Sequence, residues 1–185
     1  MGKIIYISGG ISSGKSSFAE EICSEKNKKT VYIATAIPFD SEMIEKRKKH
    51  VARRKNKDWD TIEKHTEISK IIDSNEFIYE LALLDCITML ISNLIFEDSA
   101  FDINNKKDRE KISKKIEVEI DNLLMSISVS DCDFIIVSNE IGLGGISENS
   151  LTRYFADICG KVNQKIARQS KEAYFVASGI AIKMK

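Results

Sequence analysis

A glycine-rich segment near the amino terminus has the residue types and spacing of a phosphate-binding loop. Residues 9–16 read Gly-Gly-Ile-Ser-Ser-Gly-Lys-Ser, which matches the pattern of Gly, any four residues, and then Gly-Lys followed by Ser or Thr. Glycines allow backbone N–H groups to surround phosphate oxygens, and the N-terminus of a following helix adds partial positive charge. The pattern therefore predicts a nucleotide-binding loop composed of Gly9, Gly10, Ile11, Ser12, Ser13, Gly14, Lys15 and Ser16.

Three side chains are candidates for the chemistry at this loop. Lys15 is expected to reach the β- and γ-phosphates of the nucleotide, and Ser16 is expected to ligate Mg²⁺. Asp85 follows an apolar run, so it lies at the carboxyl end of a predicted buried strand, where a carboxylate can hold Mg²⁺ directly or through water. A second role for Asp85, compatible with the first, is to cap the helix predicted to begin near Cys86. Glu80 is a weaker candidate because it lies within the predicted strand.

The segment 46–57 is strongly basic and contains a histidine. Eight of its twelve residues are Lys or Arg. Helical periodicity puts five positions of this segment on one stripe: Lys46, His50, Arg53, Arg54 and Lys57. Positive neighbours disfavour the imidazolium form, so they are expected to lower the pKa of His50 and to leave a neutral, nucleophilic nitrogen. The same cations would hold a triphosphate and offset the charge that builds up at its α-phosphorus.

The residue types of this basic segment fit three kinds of surface. They suit a nucleotidyl-transfer site, a nucleic-acid groove, or a solvated helix with no ligand. The whole chain carries 28 Lys and Arg against 28 Asp and Glu, so its formal net charge is zero. Net neutrality argues against a dedicated nucleic-acid coat protein and leaves a local basic patch open.

Strand-like and helical patterns alternate along the chain. Short apolar runs predict strands at Lys3–Ser8, Thr30–Thr35, Trp59–Glu63, Phe77–Leu84, Asp133–Ser138 and Ala173–Ser178, with an edge strand at Ile180–Met184. Helices are predicted from Gly14 to about Lys26, Ser41 to about Asn56, Cys86 to Phe96, Asp108 to Ser128, and from Ser147 onward. This alternation predicts an α/β fold in one domain, residues 1–185, with a mostly parallel sheet and helices on both faces.

Composition and cysteine spacing are typical of a globular protein in a reducing compartment. Hydrophobic residues make up 43% and charged residues 30% of the 185 residues. The four cysteines include no Cys-x-x-Cys pair, which indicates neither a disulfide framework nor a zinc site. The apolar stretch from Leu81 to Phe96 contains Asp85 and Asn93, so no membrane span is expected there. We therefore expect a cytoplasmic protein.

A second glycine-rich loop, Asn139–Gly145, follows the predicted strand at Asp133–Ser138. Ligands of α/β proteins bind at the carboxyl ends of the strands, so Glu140 and Gly142 are candidates for a substrate loop. The other interpretation is a plain connection between strand and helix that needs glycine backbone angles. His65 lies in a polar connection and is interpreted as a surface residue.

Further segments complete a pattern that runs along almost the whole chain. They are Ser8–Ser16, Tyr32–Thr35, Asp40–Met43 with His50, Trp59, Leu84–Thr88, Asn93 with Leu94, Asn139–Gly144, Glu148 with Asn149, Arg153, Phe155, Asp157 with Ile158, Gly160, Val162–Gln164 and Val176–Gly179. Together these segments resemble the bifunctional adenosylcobinamide kinase/adenosylcobinamide-phosphate guanylyltransferase family of cobalamin biosynthesis. The phosphate loop is the generic part of the resemblance. The second glycine loop, the Val-Asn-Gln segment and the spaced histidine are its specific part.

The resemblance implies two reactions. ATP or GTP phosphorylates the aminopropanol hydroxyl of adenosylcobinamide, and GMP then moves from GTP to the new phosphate, giving adenosylcobinamide-GDP and pyrophosphate. The transfer is implied to pass through a guanylyl-histidine at His50, with Arg53 and Arg54 beside the nucleotide. Lys15 and Ser16 would serve the phosphates and Mg²⁺. Asp85 would serve the metal or activate the hydroxyl.

The resemblance also implies a RecA-like P-loop NTPase fold and a homotrimer, with the histidine-bearing helix near a subunit interface and no nucleic-acid partner. The chain departs from the family's common residues at Ser12 in place of Arg, Lys49 in place of a second histidine, Asp85 in place of Glu, and Gly145–Ser147 in place of Val-Pro. Two alternative functions stay open. One is a small-molecule P-loop kinase without the covalent step, and the other is a nucleic-acid-binding P-loop ATPase.

Overall fold

The computed structural model describes residues 1–38, 41–55 and 57–185. Within the helix over Ser41–Arg54, the side chains at positions 42, 43, 46, 47, 49, 50 and 53 lie outside the described residues. His50 and Arg53, which the sequence predicts to act on the nucleotide, are therefore placed on this helix by their backbone alone.

A seven-stranded sheet forms the centre of the described part of the chain. Its strands are β1 (Ile4–Gly9), β2 (Thr30–Ala34), β3 (Trp59–Glu63), β4 (Leu81–Asp85), β5 (Asp133–Asn139), β6 (Glu172–Ala177) and β7 (Ile180–Lys183). They lie in the order β3-β2-β4-β5-β1-β6-β7, and every neighbouring pair is parallel except β6 and β7. The predicted α/β class with a mostly parallel sheet is confirmed.

Helices cover both faces of this sheet. They are α1 (Lys15–Lys26), α2 (Ser41–Arg54), α3 (Ile68–Ile72), α4 (Ile87–Phe96), α5 (Lys106–Val129) and α6 (Ser150–Gln169). None of the helices in the described ranges is long and apolar enough to cross a membrane. The four cysteines are free and buried, and burial raises the pKa of each thiol to about 12.

Alternate residues of each central strand belong to different apolar layers. In β4, Leu81 and Leu83 join the layer that contains Ala19 of α1, whereas Ala82 and Leu84 join the layer built with α3, α4, α5 and α6. Successive side chains of a strand point to opposite faces of the sheet. Because both faces are covered, the central strands are apolar throughout and appear in the sequence as continuous runs.

The strand order brings the candidate site residues to one edge of the sheet. β5 lies between β1, which leads into the glycine-rich loop, and β4, which ends at Asp85. In the parallel register, Gly9 is opposite Asn139 and Asp85 is opposite Val137. Ligands of open α/β sheets bind at the carboxyl ends of the strands. The phosphate loop, Asp85 and Asn139 at the end of β5 therefore meet where a ligand is expected.

The predicted start of β4 is wrong. The strand begins at Leu81 rather than Phe77, because the Phe77 N–H donates to Ser74 O at 3.0 Å in a turn that precedes the strand. Glu80 therefore lies just before β4, at the edge of the sheet opposite the phosphate loop. There its carboxylate accepts from the Lys29 N–H at 3.1 Å.

Other boundaries differ for local reasons. α6 begins at Ser150 rather than Ser147, because the Asn149 side chain caps it by accepting from the Thr152 N–H at 3.0 Å. The five-residue helix α3 was not predicted, since a segment this short shows no helical periodicity. β3 has the predicted bounds, and the edge strand β7 pairs antiparallel with β6.

Candidate active site

The loop between β1 and α1 requires glycine at two positions. Gly14 has a φ of +99°, and a Cβ there would lie 3.1 Å from Gly179 Cα. A Cβ on Gly9 would lie 2.2 Å from Val176 O, which is closer than any real contact. A side chain at either position would displace backbone of β6 or of the turn after it. Ser12 also adopts a left-handed conformation, with a φ of +58°.

Lys15 is the buried cation of this loop. The residue is only 6% exposed, and its Nζ donates to Gly10 O at 2.5 Å and to Ser13 Oγ at 3.5 Å. Burial lowers the pKa of Lys15, and nearby Cys86 and Asp85 act in the opposite direction. The first turn of α1 contains no acidic residue, so its partial positive charge is not cancelled there. The loop is therefore an electropositive pocket suited to phosphate.

Asp85 ends β4 and accepts a hydrogen bond from a tyrosine. The Tyr32 hydroxyl donates to Asp85 Oδ2 at 3.1 Å. Burial, and then the negative charge of Asp85, raise the pKa of Tyr32 well above its usual value, so this hydroxyl keeps its proton. The helix-capping interpretation of Asp85 is wrong. Cys86 is the N-cap residue of α4, and its N–H donates to Thr35 Oγ1 at 2.8 Å.

A cleft of about 520 Å³ lies between the phosphate loop and the end of β4. The predicted site residues among its lining are Ile11, Ser12, Ser13, Gly14, Lys15, Ser16, Arg54 and Asp85. Tyr32, Val137 and Asn139 also line it. The structure thus brings the phosphate loop, the candidate metal carboxylate and one arginine of the basic segment to a single cleft.

The last residue of β5 is a cleft residue that sequence reasoning missed. Asn139 lines the cleft, its N–H donates to Thr88 Oγ1 at 2.8 Å, and its carbonyl accepts from Asn163 Nδ2 at 3.1 Å. The predicted substrate-loop residues Glu140 and Gly142 are not among the described lining residues. Glu140 Oε1 instead accepts from the Gly142 N–H at 3.0 Å within the loop. The available signal for Asn139 was its polar side chain at the end of a buried strand.

Glu20 of α1 and Arg54 of α2 form a buried ion pair. Their side chains are 6% and 8% exposed, and Glu20 Oε1 lies 3.8 Å from Arg54 Nη1. The guanidinium also stacks on Tyr32, 3.4 Å from the ring centroid. A connected series of contacts therefore runs from Glu20 through Arg54 and Tyr32 to Asp85, and Arg54 also lines the cleft.

Lys57 belongs to this buried cluster rather than to the predicted helical stripe. Its Nζ lies 3.9 Å from Glu20 Oε2, donates to Glu20 O at 3.2 Å, and lies 4.3 Å from the centroid of the Trp59 ring. The prediction that Lys57 shares a helix face with His50 is wrong, because α2 ends at Arg54. The Lys57 N–H then donates to Arg54 O at 2.8 Å in a turn.

His65 lies in the predicted polar connection, but it is half-buried and hydrogen-bonded to a neighbouring strand end. Its Nδ1 lies 3.1 Å from Thr35 O, and because a carbonyl only accepts, Nδ1 carries the proton. Asn93 Nδ2 donates to Thr35 O at 2.8 Å and to His65 O at 2.9 Å. The ends of β2 and β3 are thereby fastened to α4. Among the described residues, His65 Nε2 has no hydrogen-bond partner.

The donor set of the cleft suits a magnesium ion that arrives with a nucleotide. Among the described residues, no three His, Cys, Asp or Glu side chains cluster as a metal cage would require. Ser16 and Asp85 both line the cleft and offer oxygen donors. Mg²⁺ commonly takes one or two protein oxygens and completes its shell with phosphate and water.

A glycine-rich loop between a parallel strand and a helix, facing a carboxylate at a nearby strand end, defines a P-loop nucleotide-binding protein. The chain belongs to the cobinamide kinase/cobinamide phosphate guanyltransferase family, whose model matches residues 5–184. The resemblance recognised from the motifs is confirmed.

Three relatives cover nearly the whole chain. It is 32% identical over 182 residues to the bifunctional adenosylcobalamin biosynthesis protein CobU of Escherichia coli strain K12, covering 98% of this chain and 99% of that protein. The same identity and coverage hold for the CobU protein of Salmonella typhimurium strain LT2. The CobP protein of Pseudomonas aeruginosa is 30% identical over 179 residues, covering 97% of this chain and 95% of its own.

Proposed function

We propose that this chain phosphorylates adenosylcobinamide with ATP or GTP and then transfers GMP from GTP to the resulting phosphate, giving adenosylcobinamide-GDP. The observation that carries the proposal is the family match over residues 5–184, which include both the nucleotide cleft and the helix that bears His50. The cleft supports it with a phosphate loop and a strand-end carboxylate in one cavity. GTP and ATP, the substrates in this proposal, are present in the cytoplasm, so we assign the enzyme to that compartment.

In the first reaction, the acceptor hydroxyl oxygen attacks the γ-phosphorus and the bond from that phosphorus to the β,γ-bridging oxygen breaks. The nucleoside diphosphate leaves with the bond's electron pair. Asp85 accepts the hydroxyl proton directly or through water, and the Tyr32 hydroxyl holds its carboxylate in place. The Lys15 ammonium and the loop N–H groups offset charge on the phosphate oxygens.

Ser16 and Asp85 are the residues that would hold Mg²⁺ beside the nucleotide, since both line the cleft. Bound there, the ion would supply positive charge that offsets the negative charge of the phosphate oxygens and of the departing diphosphate. Arg54, anchored by Glu20 and stacked on Tyr32, adds a fixed positive charge at the same cleft.

In the second reaction, a neutral His50 nitrogen attacks the α-phosphorus of GTP. The bond to the α,β-bridging oxygen breaks, and pyrophosphate leaves with its electron pair. A phosphate oxygen of adenosylcobinamide phosphate then attacks the same phosphorus, the P–N bond breaks, and its electrons return to the imidazole. Two displacements at one phosphorus replace a single difficult transfer. We assign Arg53, on the same helix, to the triphosphate.

The decisive experiment is covalent labelling with α-labelled GTP and Mg²⁺. The wild-type chain is expected to acquire label that is labile in acid and stable in base, as a phosphoramidate is. His50→Ala is expected to abolish the label. The chain has two histidines, so His65→Ala is the matched control and should retain it. Label that survives His50→Ala refutes the role of His50, and absence of label in the wild type refutes the guanylyltransferase step.

The two alternatives make different predictions. A kinase without the covalent step would keep all of its activity after His50→Ala. A nucleic-acid-binding ATPase would show an affinity that falls steeply with salt. The pairing of Arg54 and Lys57 with Glu20 removes two cations from the basic surface that such a groove would use. We also propose a homotrimer, as the family resemblance implies.

A further inference from the structure

A second cavity of about 530 Å³, here called the side cavity, lies at the carboxyl ends of β2 and β3 and along α4. Its lining includes Ile37, His65, Met89, Ser92, Phe96 and Glu97. None of these residues belongs to the phosphate loop, and the function proposed above uses none of them.

The side cavity adjoins the nucleotide cleft. Met89 lies four residues after Asp85 in the sequence, on α4, and it lines both cavities. Ile37 lines the side cavity, and the next residue, Pro38, lines the cleft. Since the order of strands is β3-β2-β4-β5-β1, Asp85 on β4 stands between the phosphate loop on β1 and the side cavity at β2 and β3.

The lining of the side cavity suits a neutral, amphipathic molecule. Glu97 forms an ion pair with Lys115, so its charge is compensated. Apart from Glu97 and the imidazole, the described lining residues carry no formal charge, which makes the cavity a poor site for phosphates. Ile37 and Phe96 offer exposed apolar surface, 43% and 62% exposed.

The polar groups of the side cavity are held in place before any ligand arrives. His65 Nδ1 is bonded to Thr35 O, and Asn93 fastens both of these residues to α4. Among the contacts of the described residues, none involves His65 Nε2 or the Ser92 hydroxyl, so both can hydrogen-bond a ligand in the side cavity. Such groups recognise amides well, because an amide both donates and accepts.

We propose that the side cavity binds an amide-bearing edge of the corrinoid acceptor and so places the acceptor hydroxyl beside Asp85. This inference rests on the proposed function. In-line transfer requires the attacking and leaving oxygens to lie on opposite sides of the γ-phosphorus, so the acceptor and the nucleoside approach from opposite directions. With the phosphates at Lys15, the acceptor belongs on the Asp85 side, and the side cavity adjoins the cleft on that side at Met89.

The test is direct binding of adenosylcobinamide, measured by its visible absorbance after ultrafiltration. Ser92→Phe fills the side cavity, and Phe96→Ser removes an exposed apolar wall without disturbing the core. Each is expected to weaken corrinoid binding by about tenfold or more, which is one well-placed contact. Covalent labelling by α-labelled GTP should stay within about twofold of the wild type, because the cleft is intact. Val118→Phe, which adds the same ring on an exposed face of α5, is the matched control.

The outcomes separate this inference from the proposed function. If the wild type transfers phosphate and is labelled, while both variants bind the corrinoid as well as it does, the side cavity is not the acceptor site. If the variants weaken GTP labelling and leave corrinoid binding unchanged, the cavity holds the nucleobase and the inference is overturned. If the wild type neither phosphorylates adenosylcobinamide nor takes up label, the proposed function itself fails.

Discussion

At the scale of single residues, the hydroxyl and the ring of Tyr32 contact different residues and have different roles. The ring supports the Arg54 guanidinium, whereas the hydroxyl fixes the orientation of the Asp85 carboxylate. Because burial and the neighbouring carboxylate keep the hydroxyl protonated, it acts as a donor across the whole working range of pH. The two tasks are separable by removing one oxygen atom.

Tyr32→Phe is expected to lower kcat for phosphoryl transfer about tenfold, because hydrogen bonds to charged groups contribute about 1.5–3 kcal/mol. The KM for the nucleotide should stay within about twofold, since the phosphate loop is untouched. Initial rates with adenosylcobinamide would check both constants. Tyr79→Phe is the matched control, because Tyr79 also donates to an aspartate, Asp60, at 2.9 Å, outside the cleft. A raised KM with unchanged kcat would contradict the orienting role.

The buried charge of Lys15 favours phosphate binding but opposes folding of the ligand-free protein. Burial lowers its pKa, so the folded protein holds this proton less tightly than the unfolded chain does. Below the folded-state pKa the buried ammonium opposes folding, and that penalty is relieved as the pH rises through this pKa toward 10.5. At pH 7, below the value of 10.5 that the Lys15 pKa has in the unfolded chain, burial of this amine opposes folding.

Lys15→Met is therefore expected to raise the Tm of the ligand-free protein at pH 7 by about 2–4 °C, the shift that about 1 kcal/mol produces in a chain of this size. GTP should raise the Tm of the wild type by mass action and leave that of Lys15→Met unchanged. Thermal unfolding with and without GTP measures both effects. Lys26→Met, at an exposed position of α1, controls for loss of charge. A lower Tm in Lys15→Met would show that the ammonium stabilises its own loop.

At the scale of elements, a buried charge cluster ties α1 to the end of the histidine-bearing helix. Glu20 of α1 holds Arg54, the last residue of α2, and Lys57 in the turn beyond it. Removing one partner of a buried ion pair leaves an uncompensated charge, which typically costs about 3–5 kcal/mol.

Glu20→Gln is expected to lower the free energy of unfolding by about 3–5 kcal/mol, because it leaves both Arg54 and Lys57 without their carboxylate partner. Urea unfolding measures the change, and Glu21→Gln, an exposed neighbour, should shift it by less than about 0.5 kcal/mol. Labelling by α-labelled GTP should fall with Glu20→Gln, since the end of α2 loses its anchor. A variant as stable as the wild type would mean that Arg54 is held by its tyrosine stacking alone.

Elements defined by local pattern were predictable from the sequence, and contacts between distant elements were not. The phosphate loop and β3 follow from residue types within a few positions, and both are found where predicted. The Glu20–Arg54 pair joins residues on separate helices, so no local pattern reports it. Lys57 was misassigned because the helix was predicted to continue to about Asn56, whereas α2 ends at Arg54.

The same limit explains the outcome at the two histidines. His65 lies in a polar segment, which is typical of a surface connection. Its burial depends on Thr35 and Asn93, which only the fold brings near. The interpretation of His50 depended on the resemblance to a family, and its side chain lies outside the described residues.

At the scale of the whole molecule, one edge of the sheet exposes several apolar side chains. β7 is the outermost strand beside β6, and Ile180 and Ile182 are 68% and 55% exposed on it, followed by Met184 at 54%. An exposed apolar edge strand invites pairing with another chain. It is a natural surface for contact between subunits of the proposed homotrimer.

Analytical ultracentrifugation of the wild type is expected to give the mass of three chains of 20.9 kDa each. Ile182→Lys places a charge on the exposed edge and should shift the distribution toward the single chain at low protein concentration. The control is Lys183→Ile, which replaces a charged side chain by an apolar one at the next position of β7. This variant should leave the trimer intact. A single-chain mass for the wild type would refute the homotrimer, and a trimeric Ile182→Lys would exclude β7 from its interface.

The shared wall at Met89 bears on how two successive reactions use one crevice. The phosphate loop lines only the nucleotide cleft and not the side cavity. The nucleoside diphosphate can therefore leave the cleft, and a new GTP can enter it, while the acceptor stays bound in the side cavity. An acceptor bound in the side cavity would undergo both reactions before it dissociates, so catalysis would be processive. In that case, when labelled adenosylcobinamide is converted in the presence of added unlabelled adenosylcobinamide phosphate, the specific activity of the final product would not fall.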